Sequence, residues 1–170
     1  LDSDGVLYSW GWNVNGQLGI GGYVNSTTPT VVDASGVLLN KTISSIYAGD
    51  RHSMVLDNAG VAYAWGYNLN GVLGDNSQAT RPLPVAVYTA GDLTGKAIVK
   101  LSTGLSHTLA LDSIGNIYAW GYNGNGEIGD GSGSTRQISP KLISTGDITG
   151  KSISSVAVGN GYSLVLDDIG

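Results

Sequence analysis

Cysteine is absent from all 170 residues, which removes disulfide frameworks, thiolate metal sites and thiol nucleophiles together. It does not fix the compartment, since a secreted bacterial protein and a cytosolic one are both compatible with it. Phenylalanine is also absent, there are four prolines, and charged residues make up only 12%, about half the usual soluble level. Eight basic residues against thirteen acidic ones leave a net charge of −5, and the basic ones are scattered. A nucleic-acid surface needs clustered Lys and Arg to neutralise phosphates, so that class is excluded. No apolar run approaches the length of a membrane-spanning helix, about 18 residues. No signal-peptide pattern opens the chain, and Leu1 is not an initiator methionine, which implies removal of upstream residues.

What is present points to strands. Hydrophobic residues reach 41%, and nine tyrosines and four tryptophans carry the aromatic content. The 27 glycines imply many turns and no long helices.

Three of the four tryptophans open the same phrase, WGWNVNGQLGI at Trp10, WGYNLNGVLGD at Trp65 and WGYNGNGEIGD at Trp120, at intervals of 55 residues. A fixed period of this size marks a repeat architecture. The register holds for Gly49, Gly104 and Gly159 and for Leu56, Leu111 and Leu166. The turn phrase DSDG at 2–5 returns as DNAG at 57–60, DSIG at 112–115 and DDIG at 167–170. One tandem-repeat segment therefore covers 1–170, in units of approximately 1–55, 56–110 and 111–165, with 166–170 starting a further one.

Within a unit the hydrophobic pattern alternates. Tyr63 and Trp65 point one way and Ala62 and Ala64 the other, giving a strand with a large-residue face and a small-residue face. HSMVLD (52–57), HTLALD (107–112) and YSLVLD (162–167) precede it as strands, joined to it by D-x-x-G hairpin turns. ISSIYAG (43–49), IVKLSTG (98–104) and ISSVAVG (153–159) give a further strand. TPTVV (28–32), PLPVAV (82–87) and SPKLI (139–143) give the last, where proline suits a sheet edge. Four short antiparallel strands in tandem build a β-propeller blade, so the expected fold is all-β, with three blades per chain as a half-ring or fragment.

The recurring glycines and aromatics read as a structural repeat signature: Trp10, Gly16, Gly19; Gly49, His52, Trp65, Gly71, Gly74; Gly104, His107, Trp120, Gly126, Gly129; and Gly159. Each tryptophan is expected to end a strand with its ring in the inter-blade core. Asn68 and Asn70 are expected to bond their own loop, and Gly71 and Gly74 to supply unusual dihedrals.

GDRHSMVLDNAGVAYAWGYNLNGVLGD at 49–75 and GLSHTLALDSIGNIYAWGYNGNGEIGD at 104–130 resemble the regulator-of-chromosome-condensation repeat family. The resemblance spans the whole chain. It implies a propeller whose closed members usually have roughly seven blades. The third copy departs from the pattern, with Tyr162 where His52 and His107 stand, so that position cannot serve as a required base in every blade. The linkers GDLTGKA (91–97) and GDITGKS (146–152) are similar to a phrase of bacterial family members, often secreted or at the cell surface. An extracellular or cell-surface bacterial setting is the expectation that follows.

Motifs that invite chemistry fall short of it. GDITGKS mimics a phosphate loop, but has three residues between its glycines where four are needed and is followed by a strand. DSDG lacks the further oxygen ligands of a calcium loop. His52 and His107 have no third ligand and are expected to bond neighbouring backbone. Glu127, the only glutamate, has no carboxylate partner at a defined spacing, and no G-x-S-x-G elbow occurs. NST at 25–27 and NKT at 40–42 fit the glycosylation acceptor pattern, which arises readily by chance in an Asn- and Thr-rich chain. The expectation is no catalytic site, no metal and no cofactor.

Three functions compete. The leading one is a non-catalytic scaffold whose loops hold a protein or glycan. The resemblance implies another, guanine-nucleotide exchange on a small GTPase, although the wedge loop and basic tail of the founding member are not recognisable here. The third is a glycan-processing enzyme. Three blades cannot close a ring, because propellers need about four to eight. Open ends would expose apolar faces and strand edges. The expectation is therefore a half-ring that pairs with a second copy into six blades, each copy completing blades begun by the other.

Overall fold

The computed structural model describes residues 1–169. Their strands are β1 (Tyr8–Gly11), β2 (Ser26–Val31), β3 (Ile43–Ala48), β4 (His52–Asp57), β5 (Ala62–Gly66), β6 (Arg81–Ala86), β7 (Ile98–Thr103), β8 (His107–Asp112), β9 (Ile117–Tyr122), β10 (Arg136–Ile143), β11 (Ile153–Val158) and β12 (Ser163–Asp167). They form two complete antiparallel sheets, β3-β4-β5-β6 and β7-β8-β9-β10, and two half-sheets, β1-β2 and β11-β12. These strands make up three propeller blades, distributed as two wholes and two halves. The half at the start is the outer pair of a blade, and the half at the end is the inner pair.

The D-x-x-G turns form for the reason their residues suggest. Asp57 Oδ1 accepts the backbone N–H of Ala59 and Val61, and Asp112 Oδ1 accepts those of Ile114 and Asn116. Gly60 and Gly115 close the turns in the left-handed region, at φ 78° and 87°. The prolines lie on β2, β6 and β10, the outer strands, where a missing donor costs no ladder bond.

The core lies between blades. Tyr118 and Trp120 pack backwards with Met54, Leu56, Ala62, Ala64, Val72 and Leu73 of the preceding blade. Ile117 and Ala119, on the other face of β9, pack forwards with Ile153 and Val156 of β11. Tyr63 and Trp65 pack backwards with Val32 and Leu38. Large side chains thus meet small ones at each seam, which lets neighbouring sheets interdigitate at close-packed density. The linkers GDLTGKA and GDITGKS each make a short 3-10 turn, Gly91–Leu93 and Gly146–Ile148, and then enter β7 and β11. Lys151 pairs with Asp167 at 3.4 Å.

Candidate functional site

The tryptophan phrase is a socket for the following repeat. Within it, Asn68 Oδ1 accepts Leu73 N–H, and Asn68 Nδ2 donates to the Ser77 carbonyl and Asp75 Oδ1. Asn13 and Asn123 hold their loops in the same way. This pins a carbonyl two residues before the second signature glycine so that it faces the next blade. Gln17 O accepts Trp65 Nε1 at 2.9 Å and Ser53 Oγ at 2.8 Å. Val72 O accepts Trp120 Nε1 at 2.8 Å and Thr108 Oγ1 at 3.4 Å. Glu127 O accepts Ser163 Oγ at 2.8 Å, and no described indole stands over it.

The glycines repeat that contrast. A Cβ added at Gly19 would lie 2.7 Å from Trp65 Nε1, and one at Gly74 would lie 2.6 Å from Trp120 Nε1. A Cβ at Gly16 would meet Pro82 Cα at 2.6 Å, and one at Gly71 would meet Ile138 Cα at 2.8 Å. Gly126 and Gly129 hold the same left-handed conformation, at φ 87° and 73°. Yet a Cβ at Gly126 would meet nothing within 4 Å, and one at Gly129 only Ile143 at 3.8 Å. The first tryptophan is the counterpart: Trp10 is 61% exposed, against 2% for Trp65 and 0% for Trp120.

The histidines also serve the seam, through side-chain hydroxyls of the following blade. His52 Nε2 meets Thr103 Oγ1 of the next blade, and His107 Nε2 meets Ser163 Oγ at 3.0 Å. Hydroxyls reach these rings because the start of each β4-type strand faces the following sheet. Burial pushes the His52 imidazole down to about 4, and burial likewise lowers His107 against an opposing pull from Glu127. The remaining signature glycines make room there: a Cβ at Gly49 would strike the His52 ring, one at Gly104 Val158, and one at Gly159 the Tyr162 ring.

Sequence reading missed one recurrent pair. Tyr63 and Tyr118 donate their hydroxyls to Asp57 Oδ2 and Asp112 Oδ2, both at 3.0 Å. The signal was present, an Asp and a Tyr six residues apart in each repeat. Burial, and then the adjacent carboxylate, push both phenols up to about 12. Burial raises the Asp112 carboxyl, but bonds from Asn116, Ile114 and Tyr118 outweigh it and hold the group low. Burial works against Glu127 too, where bonds from Asn125 prevail. Among the described residues no three His, Cys, Asp or Glu side chains cluster as metal ligands, and no helix is long and apolar enough to cross a membrane.

Loops on one face leave a different surface. Asp50, Arg51, Tyr67, Asn70, Leu105, Ser106 and Tyr122 line an open cleft of about 320 Å³ spanning the two complete blades. The Arg51 guanidinium pairs with Asp50 at 3.0 Å and stands 5.7 Å from the Trp12 ring centroid.

Comparison with known proteins places this geometry. The model of the regulator of chromosome condensation (RCC1) repeat matches residues 4–56, 59–111 and 115–166. The ultraviolet-B receptor UVR8 of Arabidopsis thaliana is 36% identical over 148 residues, which is 87% of this chain and 32% of the receptor. The human E3 ubiquitin-protein ligase HERC2 is 30% identical over 164 residues, 96% of this chain and 3% of the ligase. In structure, Prp20p of Saccharomyces cerevisiae superposes with a TM-score of 0.86 at 24% identity, covering 98% of this chain and 40% of that one. Human WBSCR16 gives 0.82 at 20%, covering 99% and 42%. The chain thus spans less than half of each of these proteins.

Proposed function

The chain belongs to the regulator of chromosome condensation repeat family, and from that premise we propose a non-catalytic scaffold that holds a protein partner on its loop face. One observation carries the reading. His52, His107 and the Asp112–Tyr118 pair are spent in seams and turns, whereas the cleft between the complete blades groups Tyr67, Tyr122 and Leu105 with Arg51, Asp50, Asn70 and Ser106. Aromatic and Arg side chains grouped in a cleft are the usual anchors of protein interfaces. Relatives agree in kind, since Prp20p is described by its binding to Gsp1p and histones. An extracellular or cell-surface bacterial setting is part of the proposal, supported by the GDLTGKA and GDITGKS linkers.

A photo-cross-linker at Leu105 in the source organism, with Arg51→Ala and Tyr122→Ala as competing variants, tests the face. One protein captured in proportion, and lost with both variants, supports the proposal. Capture of glycan alone, or nucleotide exchange on a panel of small GTPases, would replace it with another reading.

A further inference from the structure

The cleft between the complete blades is built on the seam histidines. Asp50 and Arg51, which line it, sit in the turn between β3 and β4 and directly precede His52. Tyr67, a further lining residue, donates its backbone N–H to the Arg51 carbonyl at 2.9 Å, and Asp50 N–H reaches the Gly104 carbonyl of the next turn at 3.2 Å. Gly49 lies against the imidazole: a Cβ there would stand 2.3 Å from His52 Cε1 and 2.7 Å from Nδ1. A Cβ at Gly66 would meet Arg51 O at 2.6 Å and His52 Cα at 2.8 Å. Ring, turn and tyrosine loop are therefore packed as one unit, in which a shift of one member is felt by the others.

The proton positions follow from the hydroxyls. Val72 O and Met54 Sδ only accept, so Thr108 Oγ1 spends its proton on them, at 3.4 and 3.7 Å. Thr103 Oγ1 then donates to Thr108 Oγ1 at 3.1 Å, which leaves it to accept from His52 Nε2. The chain has one direction, from the imidazole to the carbonyl that also receives Trp120. His107 is polarised the same way: Ser163 Oγ donates to Glu127 O at 2.8 Å and so accepts from His107 Nε2 at 3.0 Å. In both rings Nε2 carries the hydrogen, and Nδ1 is a bare lone pair, buried and bonded to no described group.

That lone pair is where a further proton binds. The charged ring then presents an N–H at Nδ1, a buried donor for which the His52 seam supplies no acceptor. Nothing around His52 offsets this. Thr103 and Thr108 of the following sheet are neutral, Asp50 and Arg51 of its own turn pair with each other at 3.0 Å, and burial alone holds the ring at about 4. At His107, by contrast, the Glu127 carboxylate and the Tyr162 carbonyl favour the charged ring.

We infer that His52 is an acid-sensitive latch under the cleft, its ring leaving the seam on protonation at Nδ1 and drawing the Gly49–Arg51 turn and Tyr67 out of the geometry that binds the partner. This names the regulation of the cleft and rests on the scaffold reading above. His107, with a carboxylate and a carbonyl at hand, keeps its turn and Tyr122 in place as His52 yields.

Nitrogen NMR of the isotope-labelled chain tests the latch without a partner. At neutral pH both imidazoles should show a protonated Nε2 and a bare Nδ1. Amide exchange, corrected for its intrinsic pH dependence, should report opening at Tyr67 about twentyfold greater at pH 5 than at pH 7, the ratio set by a ring that titrates at about 4 when closed and about 6.5 when open. The Tyr122 amide should respond less, and the Leu73 amide, held by Asn68 Oδ1 in the same blade, should not respond. His52→Gln keeps a donor for Thr103 but takes up no proton, and should abolish the Tyr67 response. An Nδ1-protonated tautomer, equal acceleration at Tyr67 and Leu73, or a response that survives His52→Gln overturns the latch. If that variant fails to fold, the two wild-type readouts still decide. Capture by the photo-cross-linker at Leu105, run in cell extract at both pH values, should fall as Tyr67 opens. Opening at Tyr67 with no capture at either pH refutes the scaffold reading alone, and undiminished capture at pH 5 despite the opening refutes the regulation alone.

Discussion

Trp65 reaches back 48 residues to donate its indole N–H to the Gln17 carbonyl at 2.9 Å, and its ring lies where a Cβ on Gly19 would be. The same relationship joins Trp120 to Val72 and Gly74. A repeat is therefore not a blade by itself. Its socket belongs to one seam and its tryptophan to the seam before.

Removing the indole from a filled seam should be costly. Trp120→Ala is expected to lower unfolding stability by about 3–5 kcal/mol through the lost ring, and Trp120→Phe by about 1–2 kcal/mol, in part because Val72 O loses a buried donor. Trp10→Ala should change the stability of the 170-residue chain by less than about 0.5 kcal/mol, since Trp10 is exposed. Urea denaturation followed by circular dichroism compares the three.

The glycines should separate in the same way. Gly74→Ala combines a left-handed backbone, φ 69°, with a Cβ 2.6 Å from the Trp120 ring nitrogen. Gly129→Ala has the backbone strain alone, about 1 kcal/mol. We expect the Gly74 variant to lose at least twice as much stability as the Gly129 variant.

Acid should loosen the seams. His52 is held at about 4 by burial, below the ordinary 6.5 of the unfolded chain. The unfolded state therefore takes up the proton first as pH falls. The neutral ring's contribution is complete above about 6.5 and is lost progressively between 6.5 and 4, up to about 3 kcal/mol. His107 adds a slope of the same sign. Stability measured from pH 7 to 4 should fall, and His52→Gln should flatten the curve.

Alkali should act through the buried phenols. Tyr63 and Tyr118, pushed up to about 12 from 10, stay neutral in the fold while the unfolded chain ionises. Their contribution is complete below pH 10 and is lost between 10 and 12. Ultraviolet titration should show these two tyrosines ionising near 12 or on unfolding, and Asp112→Asn should make Tyr118 ionise at lower pH.

Much of the fold was legible because its constraints are local. The alternation through Tyr63 and Trp65, the Asp–Gly turns and the prolines on outer strands each follow from one stretch of chain. The exact seam partners were not legible, because they are backbone groups. Nothing in the side chains of Gln17 and Val72 says that their carbonyls receive an indole. The hydroxyl partners of His52 and His107 were hidden for a related reason, since Thr103 and Ser163 lie a repeat away and are unremarkable as residue types. The loop-face cleft gave no sequence signal, because Arg51, Tyr67 and Tyr122 meet only after the blades stack.

Hydrogen exchange at the indole N–H groups tests the filled seams most directly. Trp65 and Trp120 bury their Nε1 donors on the Gln17 and Val72 carbonyls, at 2.9 and 2.8 Å. Their indole signals should therefore persist in deuterated buffer long after that of the exposed Trp10. Exchange of all three at one fast rate would contradict a fold whose blades are joined by indole plugs.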